Sequence, residues 1–364
     1  MGHQRSFLRV AVLAGLLLSL LASASTAIAA QKKIQMSFST VFPQTHYHTT
    51  LNQMFADEIK QRTGGQVEIM VYPVGTLTPP AKTYEAVVKG IVDIGMSCPL
   101  WVAGRFPMSE VFEMPSDIQS AWVTTKVYAD LVANFPFKEY EDVQILFLHG
   151  PGRNLISSRA KPIHALEDLK GLQLRTSGAT IDLVKAWGGI PRAMPMSDAY
   201  EALSKGVIDG NFAVPETLKG FRLADPVKYL TIPPVSTSSC QFVAINKEKW
   251  AALPDSVKKV FTEVSAEWAE KHAMVWMYYD KVGLDYFKGL SSDRQVIVIP
   301  DEQKQKWQDP ATAVLENYIR EKSAMGLPSR EYVDYFRQRI AYHAARQPSE
   351  AVAVRWVEEN IVQK

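Results

Sequence analysis

From Lys33 onward the apolar positions switch repeatedly between a period of two and a period near 3.6. Ile34 to Ser39 reads as a strand, Thr49 to Thr63 as a helix closed by Gly64-Gly65, and Val67 to Tyr72 as a second strand. A helix from about Lys82 to Lys89 stops at Gly90, and Ile91 to Ser97 then reads as a short buried strand. The same alternation resumes in the middle of the chain. Val143 to His149, Asn154 to Ser158 and Leu172 to Thr176 are strand candidates, with a short helical turn at Ala165 to Leu169. Ile181 to Trp187 reads as a helix ended by Gly188-Gly189. Ser197 heads another through Leu203, with Asp198 in its first turn, before Val207 to Phe212 returns to a sheet. Gln241 to Asn246 is a further strand, far enough on in sequence to complete the first sheet. Strands alternating with helices predict an α/β fold with helices on the faces of its sheets.

The C-terminal third is mostly helical. Asp255 after Pro254 starts a periodic stretch reaching about Leu290, and Gln295 to Ile299 interrupts the helices with one strand. A helix of that length spans roughly 50 Å, more than one lobe, and could brace two lobes against each other. No internal repeat or low-complexity segment is present.

The chain's 364 residues begin with a secretory signal: Arg5 and Arg9, an apolar run from Val10 to Leu21, and small residues at Ala27 and Ala29. The run is shorter than the roughly 20 residues of a membrane span, so cleavage after Ala29 is expected. About 335 residues then remain, more than one core usually organises, which predicts two lobes. The expected division is 30–150 plus 237–254 for lobe I, 151–236 plus 291–364 for lobe II, and 255–290 as the helix spanning both. A net charge of +2 argues against a broad nucleic-acid surface. The two cysteines, Cys98 and Cys240, would meet an oxidising compartment, where they could form a disulfide or stay as separate buried thiols.

One stretch carries a resemblance. From Leu169 to Gly210, LKGLQLRT is followed by GGIP, MSDAYEALSKG and VIDG, with FSTVFPQTHYHTT, KGIVDIG and FVAINKEKWAALP in support. In order and spacing these resemble the DctP-type solute receptors of tripartite ATP-independent periplasmic (TRAP) transporters, over nearly all of the chain after the signal. The resemblance implies a two-lobed periplasmic-binding-protein-like (Venus-flytrap) architecture that closes on a small organic acid. It also implies a periplasmic monomer that delivers its guest to membrane subunits of the DctQ/DctM type.

The resemblance assigns the carboxylate grip to Arg175, at the end of a second-lobe strand. A guanidinium holds its charge and presents a fork matched to two carboxylate oxygens, which supports the same choice independently. Arg153, in PGRNLISSR, matches a second cleft arginine; a structural role at the hinge is the competing view. Sialic-acid-type members carry an Asn before a Pro shortly after the DG pair, where this chain has Val214-Pro215-Glu216, three residues expected at the cleft with Glu216 at its rim or pairing an arginine, and many members have an aromatic residue where Met196 stands. Both departures argue against a guest rich in hydroxyls, each of which would need a buried partner. Phe42, His46 and Trp101, with Tyr47, are expected on the first-lobe side of the cleft, facing Met196 and Phe212. They imply an apolar or aromatic body on the guest. His46 and His48 share a face of an extended segment with no third ligand nearby, so no metal is expected. No GxSxG, GxGxxG, HExxH or CxxC occurs, so no enzyme and no cofactor is expected either. A receptor serving a sensor kinase, or a periplasmic enzyme, are the alternatives.

Overall fold

The computed structural model describes residues 33–135 and 138–363. The expected signal segment, 1–29, lies outside the described residues. The first lobe opens with β1 (Ile34–Ser39), α1 (Tyr47–Arg62), β2 (Val67–Tyr72), α2 (Thr83–Val88) and β3 (Ile94–Ser97). A 3-10 turn at Ser109–Glu113, α3 (Ala121–Asn134) and β4 (Val143–His149) follow. The second lobe contains β5 (Leu155–Ser158), β6 (Gln173–Thr176), α4 (Thr180–Ala186), β7 (Ile190–Ala193), α5 (Met196–Ser204), β8 (Gly210–Ala213), α6 (Thr217–Gly220) and β9 (Tyr229–Ile232). The chain then supplies β10 (Gln241–Asn246), α7 (Lys247–Ala251), α8 (Asp255–Leu290), β11 (Gln295–Val298), α9 (Lys304–Ala324), α10 (Ser329–Ala344) and α11 (Glu350–Val357).

Two sheets result, and each is completed by a strand from a distant part of the sequence. The first runs β2-β1-β3-β10-β4, with β10 antiparallel to both β3 and β4. Every residue of β10 is buried, as the continuous apolar run Phe242-Val243-Ala244-Ile245 requires of a strand covered on both faces. The second runs β11-β9-β5-β8-β6-β7, with β5 antiparallel to β8 and β9. The chain therefore crosses between the lobes in the segments 150–154 and 233–240 and along α8; the first two are extended. The two extended segments run side by side, tied by Asn154 N–H to the Thr237 carbonyl (2.9 Å), while Ser116 N–H reaches the Ser236 carbonyl (2.9 Å).

α8, the 36-residue helix, is roughly 54 Å long. It packs on α1, α3 and β4 of the first lobe and on α6 of the second. The stretch 291–364, expected with the second lobe, is divided between the two. β11 extends the second sheet, and Trp307 and Ala311 of α9 enter the second lobe's core. Val314, Leu315 and Tyr318, one turn further along α9, join the first lobe's core, and α10 packs on α3. Five elements are not foreseen by the hydrophobic pattern: α3, α6, α7, β7 and β9. Cys98 and Cys240 lie buried in the first lobe's core without a bridge, so of the two readings for the pair the separate thiols hold. Burial pushes both thiols well above their usual range.

Candidate functional site

Between the two sheets lies a cavity lined from both lobes and from α8. Arg175 forms part of its wall. Strand alternation places it there: Leu174 is fully buried in the second lobe's core, so its neighbour faces the opposite way, towards the other lobe. The side chain is only 3% exposed, and its Nε donates to the Met194 carbonyl (3.1 Å). Among the described residues no carboxylate closes an ion pair with it. Burial lowers the guanidinium to about 10, an effect that Glu113 partly offsets, so it remains a cation at neutral pH. A buried cation without a paired anion is costly, and an anion entering the cavity removes that cost.

The remaining wall is largely apolar. Phe42 and Trp101 come from the first lobe, Met196, Phe212 and Val214 from the second, and Trp276 from α8. Trp276 is held by a hydrogen bond from its Nε1 to His149 Nδ1 (3.0 Å) and meets Phe42 edge-on at 5.8 Å. The polar lining comprises Asn154, Ser177, Thr180, Gln241 and two acids, Glu113 and Glu216. The Oε1 of Gln241 is buried without a partner.

Of the expected residues, Arg175, Phe42, Trp101, Met196, Phe212, Val214 and Glu216 are brought together on one cavity. His46 stands behind it. Its ring stacks on Phe42 (4.2 Å), and its Nδ1 accepts the His48 N–H (3.3 Å), capping α1. His46 Nε2 also lies 2.7 Å from Glu216 Oε1, with both side chains buried, although the angle is not that of a hydrogen bond. Pro215 is likewise behind the wall, with its carbonyl against Gly283 of α8. Tyr47 stacks on Tyr279 outside the cavity.

Arg153 is a correction: it is absent from the cavity wall. Its Nη1 donates to Gln119 Oε1 (2.8 Å) and its Nη2 to the Pro233 carbonyl, which ties it to the segment crossing between the lobes. Asn154, one residue later, takes the place expected of Arg153. A shift of one position along an extended segment exchanges its faces.

Glu113, Trp276 and Gln241 were not anticipated. Glu113 carried a readable signal: an acid inside the apolar run Val111-Phe112-Glu113-Met114 is expected to be buried and occupied. It is 3% exposed, and its carboxyl accepts the Ala179 N–H from the opposite lobe. Burial pushes it up to about 8; the Ala179 and Thr180 amides and Arg175 offset part of that rise, and Glu110 adds to it.

Behind Phe42 and Trp276 four buried histidines stand in a row. His46 and His48 stack at 5.6 Å, His48 and His272 at 5.0 Å, and His272 and His149 at 4.3 Å. His48 and His272 share an Nδ1 to Nδ1 hydrogen bond of 2.8 Å. Burial and the neighbouring rings hold His48 and His272 well below the usual imidazole range, and burial alone lowers His149 to about 3.

The comparisons with known proteins agree with this geometry. The family model "DctP: Bacterial extracellular solute-binding protein, family 7" matches residues 38–322. A TRAP solute-binding protein of Rhodoferax ferrireducens, solved with copurified benzoate, superimposes with a TM-score of 0.80 at 24% identity, covering 86% of this chain and 99% of that one. A TRAP periplasmic solute-binding protein of Desulfovibrio salexigens has a TM-score of 0.77 at 27% identity, covering 87% and 98%. The 2,3-diketo-L-gulonate-binding periplasmic protein YiaO of Escherichia coli is 26% identical over 255 residues, 68% of this chain and 76% of that protein.

Proposed function

We propose a function for this chain from what it is: it belongs to bacterial extracellular solute-binding protein family 7, the DctP family. Its relatives are receptors for small organic acids, and it is an extracytoplasmic solute receptor of the TRAP type. On our reading it acts in the periplasm as a monomer and performs no catalysis. It captures a small carboxylate between its lobes and hands it to DctQ/DctM-type membrane subunits. Only the closed form touches the guest from both sides, so the guest favours closure.

The guest we assign is an organic acid with an aromatic or apolar body. One observation carries this: a buried arginine with no paired carboxylate stands in a cavity whose apolar side chains include Phe42, Trp101, Phe212, Trp276, Met196 and Val214. Arg175 takes the carboxylate and the rings take the body. The rings offer flat contact area to a body without hydroxyls, which suits a benzoate-like acid better than a sugar acid. The benzoate held by the Rhodoferax ferrireducens protein points the same way.

Calorimetry with benzoate and phenylacetate tests this. Arg175→Ala is expected to weaken binding by roughly 2–5 kcal/mol, since the variant leaves a buried carboxylate unpaired. Its circular dichroism should match that of the parent. Unchanged affinity removes Arg175 from the site. Loss of the acid during incubation, with new products appearing, replaces the receptor with an enzyme.

A further inference from the structure

Glu113 crosses from one lobe to the other. It closes the 3-10 turn of the first lobe, where Val111 and Phe112 are fixed in the core, and its carboxyl reaches the Gly178-Ala179 turn of the second lobe. The fit is close: Gly178 has a φ of +57°, and a Cβ there would overlap the Glu113 carboxyl. The acid lines the same cavity as Arg175, and among the described residues no cation closes an ion pair with it.

We propose that Glu113 sets the charge of the guest: it latches the lobes across the cavity as an uncharged acid, so the cleft takes a monocarboxylate together with one proton and refuses a dianion. The proposal rests on the receptor reading above. Charge counting supports it. Arg175 contributes one positive charge and a monocarboxylate neutralises it, while Glu216, the wall's other acid, lies against His46 and adds no positive charge, so an ionised Glu113 would leave a net negative charge in a site closed from water. The groups around Glu113 compensate a charge there only in part: the Ala179 and Thr180 amides donate to it, but among the described residues no side-chain cation pairs with it. Arg175 belongs to the guest, and Glu110 on the same turn is an acid already paired with Lys322 of α9 (2.5 Å). Asp182 in the first turn of α4 is a further acid, and the Cys98 and Cys240 thiols are buried. The rise of Glu113 to about 8 is in accord. With the lobes apart the carboxylate meets water and returns to the ordinary range, so closure draws one proton from solvent.

The test is calorimetry of benzoate binding at about pH 6.5 in two buffers of unequal ionisation enthalpy, with affinity then followed from about pH 5.5 to 7.5. The parent protein is expected to take up about one proton per benzoate and to lose up to tenfold in affinity per pH unit. Glu113→Gln keeps the shape and cannot ionise; it is expected to take up no proton and to give a flat profile. Terephthalate, a dianion with the same ring, is expected to bind the parent at least about 100-fold more weakly than benzoate. Benzoate binding without proton uptake, uptake that survives in Glu113→Gln, or terephthalate binding as tightly as benzoate each overturns the proposal and leaves the receptor reading standing. If Glu113→Gln does not fold, the two-buffer measurement on the parent decides alone. If no monocarboxylate among benzoate, phenylacetate and mandelate binds or raises the melting temperature, the receptor reading falls and takes this proposal with it.

Discussion

His149→Asn isolates the energetic cost of keeping an imidazole neutral behind the cleft. His149 is fully buried at the end of β4, stacked on His272, and its Nδ1 accepts from Trp276 while its Nε2 has no partner. Protonation would put a charge there with nothing to pair it, so the folded value falls to about 3 against an unfolded value near 6.5. Between those values the unfolded chain binds a proton that the folded chain refuses, and stability is lost as pH falls through that window. At about 1.4 kcal/mol per unit, the whole window amounts to about 5 kcal/mol, of which about 3 is spent by pH 4.5. His48 and His272 act in the same direction. Glu113, Glu139 and Asp280 act oppositely, because their folded values are raised, and their contribution is lost as pH rises above about 4.5. The two sets of groups oppose each other between about pH 4.5 and 6.5, so the parent's own profile mixes them and the variant must be compared with it. Asn can still accept from Trp276 and does not titrate. At about pH 7.5 its smaller side chain should cost about 1–3 kcal/mol. By about pH 4.5 that deficit should be cancelled or reversed. Urea unfolding followed by tryptophan fluorescence gives both curves, and a deficit that stays constant with pH refutes the buried neutral imidazole.

Two further substitutions separate the hinge from the wall. Gly283→Ala would ordinarily stabilise a helix interior, yet here the new Cβ would overlap the Pro215 carbonyl, so a loss of about 1–3 kcal/mol and weaker benzoate binding are expected; a higher melting temperature would show that α8 can move away freely. Arg153→Ala should lower stability by about 1–3 kcal/mol through loss of its Gln119 and Pro233 contacts, while benzoate affinity changes far less than in Arg175→Ala. Equal affinity losses in the two variants would return Arg153 to the cleft.

Nine of the eleven strands among the described residues were legible because they are short apolar runs, some of them bounded by glycine, and the long helix because its period persists over ten turns. α3 was not. It is buried along most of its length, so Ala121-Trp122-Val123-Thr124-Thr125 shows no clean polar face, and its Ser120 cap is an ordinary serine in sequence. β7 contains Pro191 and lies at a sheet edge, where proline is tolerated but masks the strand pattern. In the site, Arg175 was expected from the motif and from its place at a strand end, and strand alternation then puts it on the cavity wall. Arg153 and Asn154 differ by a single position in a crossing segment that belongs to no strand, and there alternation gives no phase. Glu113 was missed because what gives it a role is the Gly178-Ala179 turn, 65 residues later in the sequence.

The coupling between the lobes can be read along one stripe of α8. His272, Trp276, Asp280, Gly283 and Phe287 recur at intervals of three or four and so share a face. At one end His272 belongs to the histidine row against β4; at the other Phe287 is in the second lobe's core. Trp276 lines the cavity between them, Asp280 accepts the Glu216 N–H (3.0 Å), and Gly283 receives the Pro215 carbonyl. Periodicity alone would have called this stripe core. Its residues are instead the rigid reference against which the cavity's second-lobe wall, Val214 to Glu216, is set. A guest that touches Trp276 and Val214 together therefore reports the spacing between α8 and that wall, and the helix transmits the same spacing to the first lobe through His272. Closure on this account is the movement of Arg175 and the Ala179 turn towards a frame already built by Phe42, Trp276 and Glu113.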